Sequence, residues 1–285
     1  MSTLNNIIAA SRPISWVNTA FPFGVAYLLA GGGLDWLFWV GVLFFLIPYN
    51  IAMYGINDVF DYESDIRNPR KGGVEGAVLP KSMHKPLLWA SVLSTVHFLA
   101  AMVWAGTWTS TLWLAVATAA VVAYSAPPMR FKERPILDSM TSSAHFVTPA
   151  LVGATIRGGD ASGYFWLAAG AFFLWGMASH ALGAVQDVKA DREGGLSSIA
   201  TALGARAVTR LAAGFYLLAA ALLFFLPAPG WLVGIAGLGY VANTLRFWNI
   251  TDDTCEDVNR AWRVFLWLNY VVGAIVTMSL AWVYL

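Results

Sequence analysis

The chain has 285 residues, a formal net charge of +1 and a hydrophobic content of 58%. Charged residues make up only 12% of it, about half the share that soluble domains usually carry. Together with a mean hydropathy of +0.63, this excludes an ordinary soluble domain and predicts an integral membrane protein. The small net charge gives no reason to expect a nucleic-acid partner, and the single cysteine, Cys255, excludes an internal disulfide.

A membrane-spanning helix needs roughly 20 mostly apolar residues, and the sequence contains nine candidates. In chain order they cover residues 14–31, 36–56, 86–105, 110–124, 137–156, 164–185, 207–225, 231–247 and 262–285. The first runs on too long for a removable signal peptide, the fourth is short, and the fifth carries several Ser and Thr side chains. We therefore predict an all-α integral membrane protein of about nine transmembrane helices in one bundle around a central cavity, with residues 1–285 as a single domain.

The basic residues are distributed unevenly between the connections. Of the 17 Lys and Arg residues, only Arg157 lies in the connection after span one, three, five or seven. Such an asymmetry places the loops after the even-numbered spans in the cytoplasm. The prediction is a plasma-membrane protein of a prokaryote, with the N-terminus and these loops cytoplasmic and the C-terminus outside.

Four polar side chains follow directly on the second apolar span: Asn57, Asp58, Asp61 and Asp65. If the helix entering from residue 51 continues, the three carboxylates share one face, and Asn57 joins it. Such a row of hard oxygen ligands suits Mg²⁺, which usually takes one or two carboxylates from protein and the rest of its shell from water and phosphate. Taken alone, the row is equally compatible with a solvated acidic helix end.

A second acidic pair follows the sixth span. Asp187 and Asp191 are at i and i+4, on one helical face, with Gln186 beside them. A single pair of this kind is more often solvated than a metal ligand. Two acidic helix ends on the cytoplasmic side that met across a cavity would hold two or more Mg²⁺, with a polyphosphate completing the coordination.

Several basic residues lie in the same set of loops: Arg12, Arg67, Lys71, Arg130 and Lys132. The last two follow a rigid Pro-Pro turn that could aim them at an anion, although the positive-inside bias alone also explains basic residues here. Carboxylates bind metals and cations bind phosphate oxygens, so a diphosphate ligand needs both.

These residues resemble the UbiA superfamily of intramembrane prenyltransferases. The resemblance rests on Asn57-Asp58-x-x-Asp61-x-x-x-Asp65 and Asp187-x-x-x-Asp191, placed after the second and sixth of nine spans, and it extends over the whole chain. Within the superfamily, residues 11–23, 47–58 and 67–76 look like the lycopene elongases of carotenoid pathways.

The resemblance implies a single prenyltransferase domain in which Mg²⁺ bridges an isoprenoid diphosphate. The implied metal ligands are Asp58, Asp61, Asp65, Asp187 and Asp191, with Asn57 as a further catalytic residue. The residues implied to bind the diphosphate are Arg12, Arg67, Lys71, Tyr124, Arg130 and Lys132. Many members carry a further acid near the second motif, where this chain has Ala184 upstream and Glu193 downstream.

The reaction implied is ionisation of an allylic diphosphate and attack on the carbocation by a double bond of the acceptor, with water excluded. For a lycopene elongase the donor is dimethylallyl diphosphate and the acceptor is lycopene. Membrane lipid is the remaining expected partner. The departing diphosphate could take the final proton; His145 and His180 are possible bases, although packed helix histidines are the commoner case.

Two alternatives stay open. The same fold could serve an aromatic, quinone-precursor or other lipophilic acceptor, since polar residues such as Asn18 and Asn50 are available to recognise one. The alternative from another functional class is a divalent-cation transporter, because acidic residues near helix ends also mark ion paths. Against it, of the 16 Asp and Glu residues only Asp35 and Asp160 lie in the predicted outside loops.

Overall fold

The computed structural model describes residues 2–66, 78–159 and 161–284, without the side chains of Ser64 and Asp65. Every regular element in these ranges is helical. The chain divides into two compact units, one formed by Met1–Arg130 and His145–Ala161, the other by Phe131–Ala144 and Ser162–Leu285.

The first unit contains seven complete α-helices among its described residues. They are α1 (Thr3–Ala10), α2 (Val17–Leu29), α3 (Trp36–Leu46), α4 (Pro48–Phe60), α5 (Tyr62–Asp65), α6 (His84–Ala105) and α7 (Trp108–Ser125). Short 3₁₀ helices at Pro13–Ser15 and Lys81–Met83 precede α2 and α6. Helix α8 (Leu137–Thr155) contributes its later turns to this unit and its first turns to the other.

The second unit holds the remaining helices of the described chain. They are α9 (Gly163–Val185), α10 (Val188–Glu193), α11 (Ile199–Leu203), α12 (Ala205–Leu223), α13 (Gly230–Leu245) and α14 (Asn259–Tyr284). The 3₁₀ helices Phe131–Glu133 and Asp252–Val258 belong to the same unit. Helix α12 packs along both α9 and α13.

Six helical stretches in the described chain are long and apolar enough to cross a membrane. They are Trp36–Phe60, Lys81–Ala105, Trp108–Ser125, Gly163–Val185, Ala205–Leu223 and Asp252–Tyr284. The other three predicted spans coincide with α2, α8 and α13, which are helical but do not meet both conditions. The all-α membrane class agrees with the prediction, whereas the count of nine spans is not reached.

The second predicted span is broken, which the sequence reading did not anticipate. Helix α3 ends at Leu46 and α4 begins at Pro48, because proline has no N–H to continue the helical ladder. Buried Asn50 satisfies the carbonyls freed by the break: its Nδ2 donates to Phe45 O at 2.9 Å and to Leu46 O at 3.1 Å. The Asn50 amide nitrogen therefore serves the fold here and is not a spare donor for recognising an acceptor.

Each unit has its own apolar core. In the first unit the largest buried side chains are aromatic and include Phe23, Phe44 and Tyr49. There Gly153 lets α8 approach the backbone of α2, since a Cβ at this position would overlap Phe23 O. The core of the second unit between α9 and α12 consists largely of alanines such as Ala178 and Ala212, and small residues of this kind let membrane helices pack closely.

Large apolar side chains remain exposed on the outer surfaces of the helices. Trp108 is 83% exposed and Trp282 is 79% exposed. Large apolar side chains exposed in such number are unfavourable in water and favourable against lipid. The pattern of exposure therefore agrees with a membrane environment.

Candidate active site

The first acidic segment lies where α4 gives way to α5. Asp58 is in the last turns of α4, and Asp61 follows its final residue, Phe60. Asp61 has φ −98° and ψ −3°, a sparsely populated backbone region in which active-site residues are common. The helix expected through residue 65 is interrupted at Asp61: α4 ends at Phe60 and α5 continues from Tyr62 to Asp65. The side chain of Asp65 lies outside the described residues.

Arg12 bonds directly to the first acidic segment. Its Nη2 donates to Asp58 Oδ1 at 3.1 Å, and its guanidinium lies 4.2 Å from the centre of the Tyr54 ring. Both Asp58 and Asp61 are buried, so a cation at this position offsets part of the cost of desolvating a carboxylate. The backbone of Arg12 has φ 51°, a left-handed conformation that is unfavourable for any residue with a Cβ.

Asn57 connects the acidic segment to the end of α7. Its Nδ2 donates to Asp61 Oδ2 at 2.7 Å and to Ser125 Oγ at 2.9 Å. These two bonds use both amide hydrogens and leave the Asn57 carbonyl oxygen as a possible ligand. Tyr124, the neighbour of Ser125, packs edge-to-face against His145 with ring centres 5.3 Å apart. The structure thus brings together four predicted residues of the first unit, Arg12, Asn57, Asp58 and Asp61.

The basic residues after the Pro-Pro turn fall in different units. Arg130 ends the first part of the first unit and has φ 40°, so it shares with Arg12 an unfavourable left-handed backbone. Lys132 belongs to the second unit, in the 3₁₀ helix Phe131–Glu133. Burial lowers the pKa of Lys132 to about 8, against the opposing effect of the Glu133 and Asp191 carboxylates.

The second acidic segment forms one helical turn. Helix α9 ends at Val185, and Asp187 is the cap of α10. Asp191 N donates to Asp187 O at 2.8 Å, which confirms the predicted one-turn spacing of the two aspartates. Beside them, Asn259 Nδ2 donates to Gln186 Oε1 at 2.8 Å, so Gln186 is held by the start of α14.

Sequence reasoning missed Asp138, which is fully buried at 0% exposure. Its Oδ1 accepts from Ser139 N and its Oδ2 from Ile199 N, each at 2.6 Å. The carboxylate therefore joins the start of α8 to the start of α11, the helix that follows the second acidic segment. The sequence feature that could have indicated Asp138 is its place at the start of a predicted membrane span. A charge there is costly unless hydrogen bonds satisfy it.

The donor chemistry fits Mg²⁺, since the acidic segments supply hard carboxylate oxygens and Asn57 supplies a carbonyl oxygen. Within either unit, the described residues include no group of three His, Cys, Asp or Glu side chains placed to hold a metal ion. A magnesium ion there would draw further ligands from water and substrate, as this ion usually does. Of the predicted diphosphate-binding residues, Arg67 and Lys71 lie outside the described residues.

The helical fold and these polar clusters define an integral membrane protein whose acidic helix ends stand beside basic side chains. Comparison with known proteins identifies the class more narrowly. The model of the UbiA prenyltransferase family matches residues 19–269. The chain belongs to this family and is a prenyltransferase, which confirms the resemblance drawn from the two acidic motifs and disfavours the transporter.

Named relatives cover nearly the whole chain. A lycopene elongase/hydratase of Corynebacterium glutamicum is 65% identical over 280 residues, 98% of each chain. The C(50) beta-cyclic carotenoids biosynthesis protein LbtBC of a Dietzia species is 52% identical over 98% of this chain and 65% of its own length. A lycopene elongase/hydratase of Haloferax volcanii is 32% identical over 95% of this chain and 87% of its own.

Solved structures share the fold. A UbiA homolog from Archaeoglobus fulgidus bound to DMAPP and Mg²⁺ superposes with a TM-score of 0.64 at 18% identity, over 95% of this chain and 99% of the other. A structure of digeranylgeranylglyceryl phosphate synthase gives a TM-score of 0.67 at 13% identity, over 95% and 97%.

Proposed function

We propose that this chain is a Mg²⁺-dependent lycopene elongase, which transfers the dimethylallyl group from dimethylallyl diphosphate to lycopene. The observation that carries the proposal is the 65% identity to a lycopene elongase/hydratase over 98% of both chains. The alignment leaves only about 2% of either chain unmatched. The placement of Arg12, Asn57, Asp58 and Asp61 in one cluster supports the same reaction from the chemistry of the site.

The acidic segments are assigned the role of holding Mg²⁺ and the diphosphate. Asp58, Asp61 and Asp65 supply carboxylates from the first segment, and Asp187 and Asp191 supply those of the second. When bound, Mg²⁺ stabilises the negative charge that develops on the leaving diphosphate. Asn57 orients Asp61 through its 2.7 Å hydrogen bond, so it acts on the geometry of the ligand set.

The basic residues are assigned to the phosphate oxygens. They are Arg12, Arg67, Lys71, Arg130 and Lys132, with Tyr124 as a hydroxyl donor. Breaking the allylic C–O bond leaves negative charge on the diphosphate and positive charge on carbon. Fixed cations stabilise the negative charge on the departing diphosphate. Because burial lowers the pKa of Lys132 to about 8, the contribution of this residue depends on pH.

The acceptor is a hydrocarbon and needs no polar recognition. Its double bond attacks the carbocation, and a proton is then lost to the departing diphosphate or to a protein base. Water must be kept away from the carbocation, because water would react with the carbocation before the acceptor does. We assign that exclusion to the apolar side chains of the membrane-length helices.

We further propose that the N-terminus and the loops bearing the acidic segments face the cytoplasm and that the C-terminus lies outside, in the plasma membrane of a prokaryote. The distribution of basic residues supports this orientation. Asp253→Cys and Gly33→Cys variants, each made with Cys255→Ser, test it with a membrane-impermeant maleimide. Intact cells should label the second variant only, and labelling of the first would reverse the orientation.

The enzymatic test uses membranes containing the full chain, labelled dimethylallyl diphosphate, lycopene and Mg²⁺. The expected product is a labelled carotenoid longer than lycopene, and chelation of Mg²⁺ should stop its formation. Asp61→Ala and Asp187→Ala should abolish the product without loss of membrane insertion, whereas Asp253→Ala, which removes an exposed acid, should retain it.

Three outcomes would contradict the proposal. Label in a quinone precursor or another ring but not in lycopene would show that lycopene is not the acceptor. Activity like that of the wild type in Asp61→Ala or Asp187→Ala would show that the corresponding acidic segment is not part of the site. Undiminished activity with chelator would show that the reaction does not need the metal.

A further inference from the structure

Two arginines of α12 line an exposed pocket that the prenyl-transfer chemistry does not use. Arg206 and Arg210 are one helical turn apart, and both are exposed. The pocket has a volume of about 390 Å³ and lies between the first turns of α12 and the segment after α13. Thr251 and Asp252 complete its polar lining, and Leu203 is among its apolar residues.

Both guanidinium groups are anchored by backbone carbonyls. Arg206 Nε donates to Ile250 O at 3.4 Å, and Arg210 Nε donates to Trp248 O at 3.3 Å. The Arg210 guanidinium also lies 4.7 Å from the centre of the Trp248 ring. The terminal Nη groups of the two arginines donate no hydrogen bond to any residue that the structure describes. The Nη groups of both arginines therefore remain available as N–H donors to a ligand in the pocket.

The positive charge of this pair is not cancelled by the one acid in the pocket. Asp252 Oδ2 accepts from Arg192 Nη1 at 2.7 Å, and its Oδ1 accepts from Ala205 N at 2.7 Å. Its charge is thus already matched by Arg192 and by the first turn of α12. Like charges at i and i+4 on a helix repel each other, and an anion placed between Arg206 and Arg210 would relieve this repulsion.

The pocket lies at the end of a membrane-length helix. Ala205–Leu223 is apolar and long enough to cross a membrane, and Arg206 and Arg210 are in its first turns. Leu203 lines the pocket and Trp248 packs against Arg210, and both side chains are exposed. Tryptophan and arginine are typical of the boundary between lipid and water, where lipid phosphates lie.

We propose that this pocket binds the headgroup of an anionic membrane phospholipid, with its phosphate held by Arg206 and Arg210. The guanidinium fork matches phosphate oxygens in charge and geometry. Exposed Leu203 and Trp248 supply apolar surface for the acyl chains. Basic pockets at the cytoplasmic ends of membrane helices are suited to such headgroups. A small soluble phosphate shares the ionic chemistry but makes no use of the apolar flank.

The experiment measures lipid binding to the full-length protein in detergent by native mass spectrometry. The protein is titrated with phosphatidylglycerol or, for comparison, phosphatidylcholine. We expect preferential retention of phosphatidylglycerol by the wild type, and about a tenfold weaker affinity in Arg206→Gln/Arg210→Gln, because two charge-assisted hydrogen-bonding groups are lost. Arg246→Gln is the matched control: it removes an exposed arginine near the same helix ends that does not line the pocket, and its affinity should change by less than about twofold.

A competition arm separates the lipid from a soluble phosphate. Millimolar glycerol phosphate should leave the retained phosphatidylglycerol in place, and its displacement at that concentration would overturn the lipid assignment. Unchanged binding in the double variant, or an equal loss in Arg246→Gln, would overturn the site. Thermal unfolding in detergent and prenyl transfer to the labelled product are measured on each variant, so that misfolding or failure of the enzymatic proposal is recognised separately.

Discussion

Replacing Arg12 by glycine and by alanine separates the role of its side chain from that of its backbone. Both variants remove the guanidinium that donates to Asp58 at 3.1 Å. The side chains of this pair are 17% and 3% exposed. Loss of a charged hydrogen bond at such a site costs roughly 1.5–3 kcal/mol. Arg12→Ala should therefore be less stable than the wild type by about 1.5–3 kcal/mol, and Arg12→Gly should lose less.

The two variants should differ from each other in an unusual direction. Arg12 has φ 51° and ψ 73°, a conformation that costs a residue with a Cβ roughly 1–2 kcal/mol and costs glycine almost nothing. After allowance for the greater freedom of glycine in the unfolded chain, about 0.4–1 kcal/mol, Arg12→Gly should be more stable than Arg12→Ala by about 0.5–1 kcal/mol.

Thermal unfolding of the purified protein in detergent, followed by tryptophan fluorescence, measures this order. A difference of this size corresponds to a Tm shift of about 1–2 °C for a chain of this length. Prenyl transfer should be strongly reduced in both variants and partly retained in Arg12→Lys, which keeps the charge without the planar fork. Equal stability of the two variants, or greater stability of Arg12→Ala, would refute the backbone argument.

Two further predictions concern the second unit. Because burial lowers the pKa of Lys132 to about 8, its charge is present below that pH and is lost above it. The KM for dimethylallyl diphosphate should therefore rise up to about tenfold between about pH 7 and about pH 9 in the wild type. It should stay nearly flat in Lys132→Arg, which remains charged; equal profiles in steady-state assays would contradict the assignment. Asp138→Asn should lower the free energy of unfolding by about 1–3 kcal/mol, because the amide nitrogen cannot accept from Ile199 N or Ser139 N. Thermal unfolding measures this loss, and an unchanged Tm would show that the buried bridge contributes little.

The membrane class and the approximate helix positions were predictable from the sequence because they depend on long apolar runs. The break before Pro48 was not predicted, although proline is its cause. A hydropathy window averages over it, since both sides of the break are apolar. The interruption at Asp61 was also missed, because nothing in the residue pattern distinguishes a helix that breaks there from one that continues.

The candidate site was predictable in part. Arg12 was proposed from its place before the first span, and its bond to Asp58 is a contact between residues 46 positions apart that no local pattern specifies. Asp138 was overlooked for the same reason: its partner Ile199 N is 61 positions away. Residue type thus indicated the chemistry, whereas the partner of each polar group depends on tertiary packing.

The central claim is that this chain adds dimethylallyl groups to lycopene through its two acidic segments. The most direct measurement is the carotenoid profile of cells that make lycopene, compared without the chain, with the wild type, and with Asp61→Ala or Asp187→Ala present in the membrane at the wild-type level. Conversion of lycopene to a longer carotenoid by the wild type alone is the predicted result. Unchanged lycopene with the wild type, or conversion by either variant, would contradict the claim.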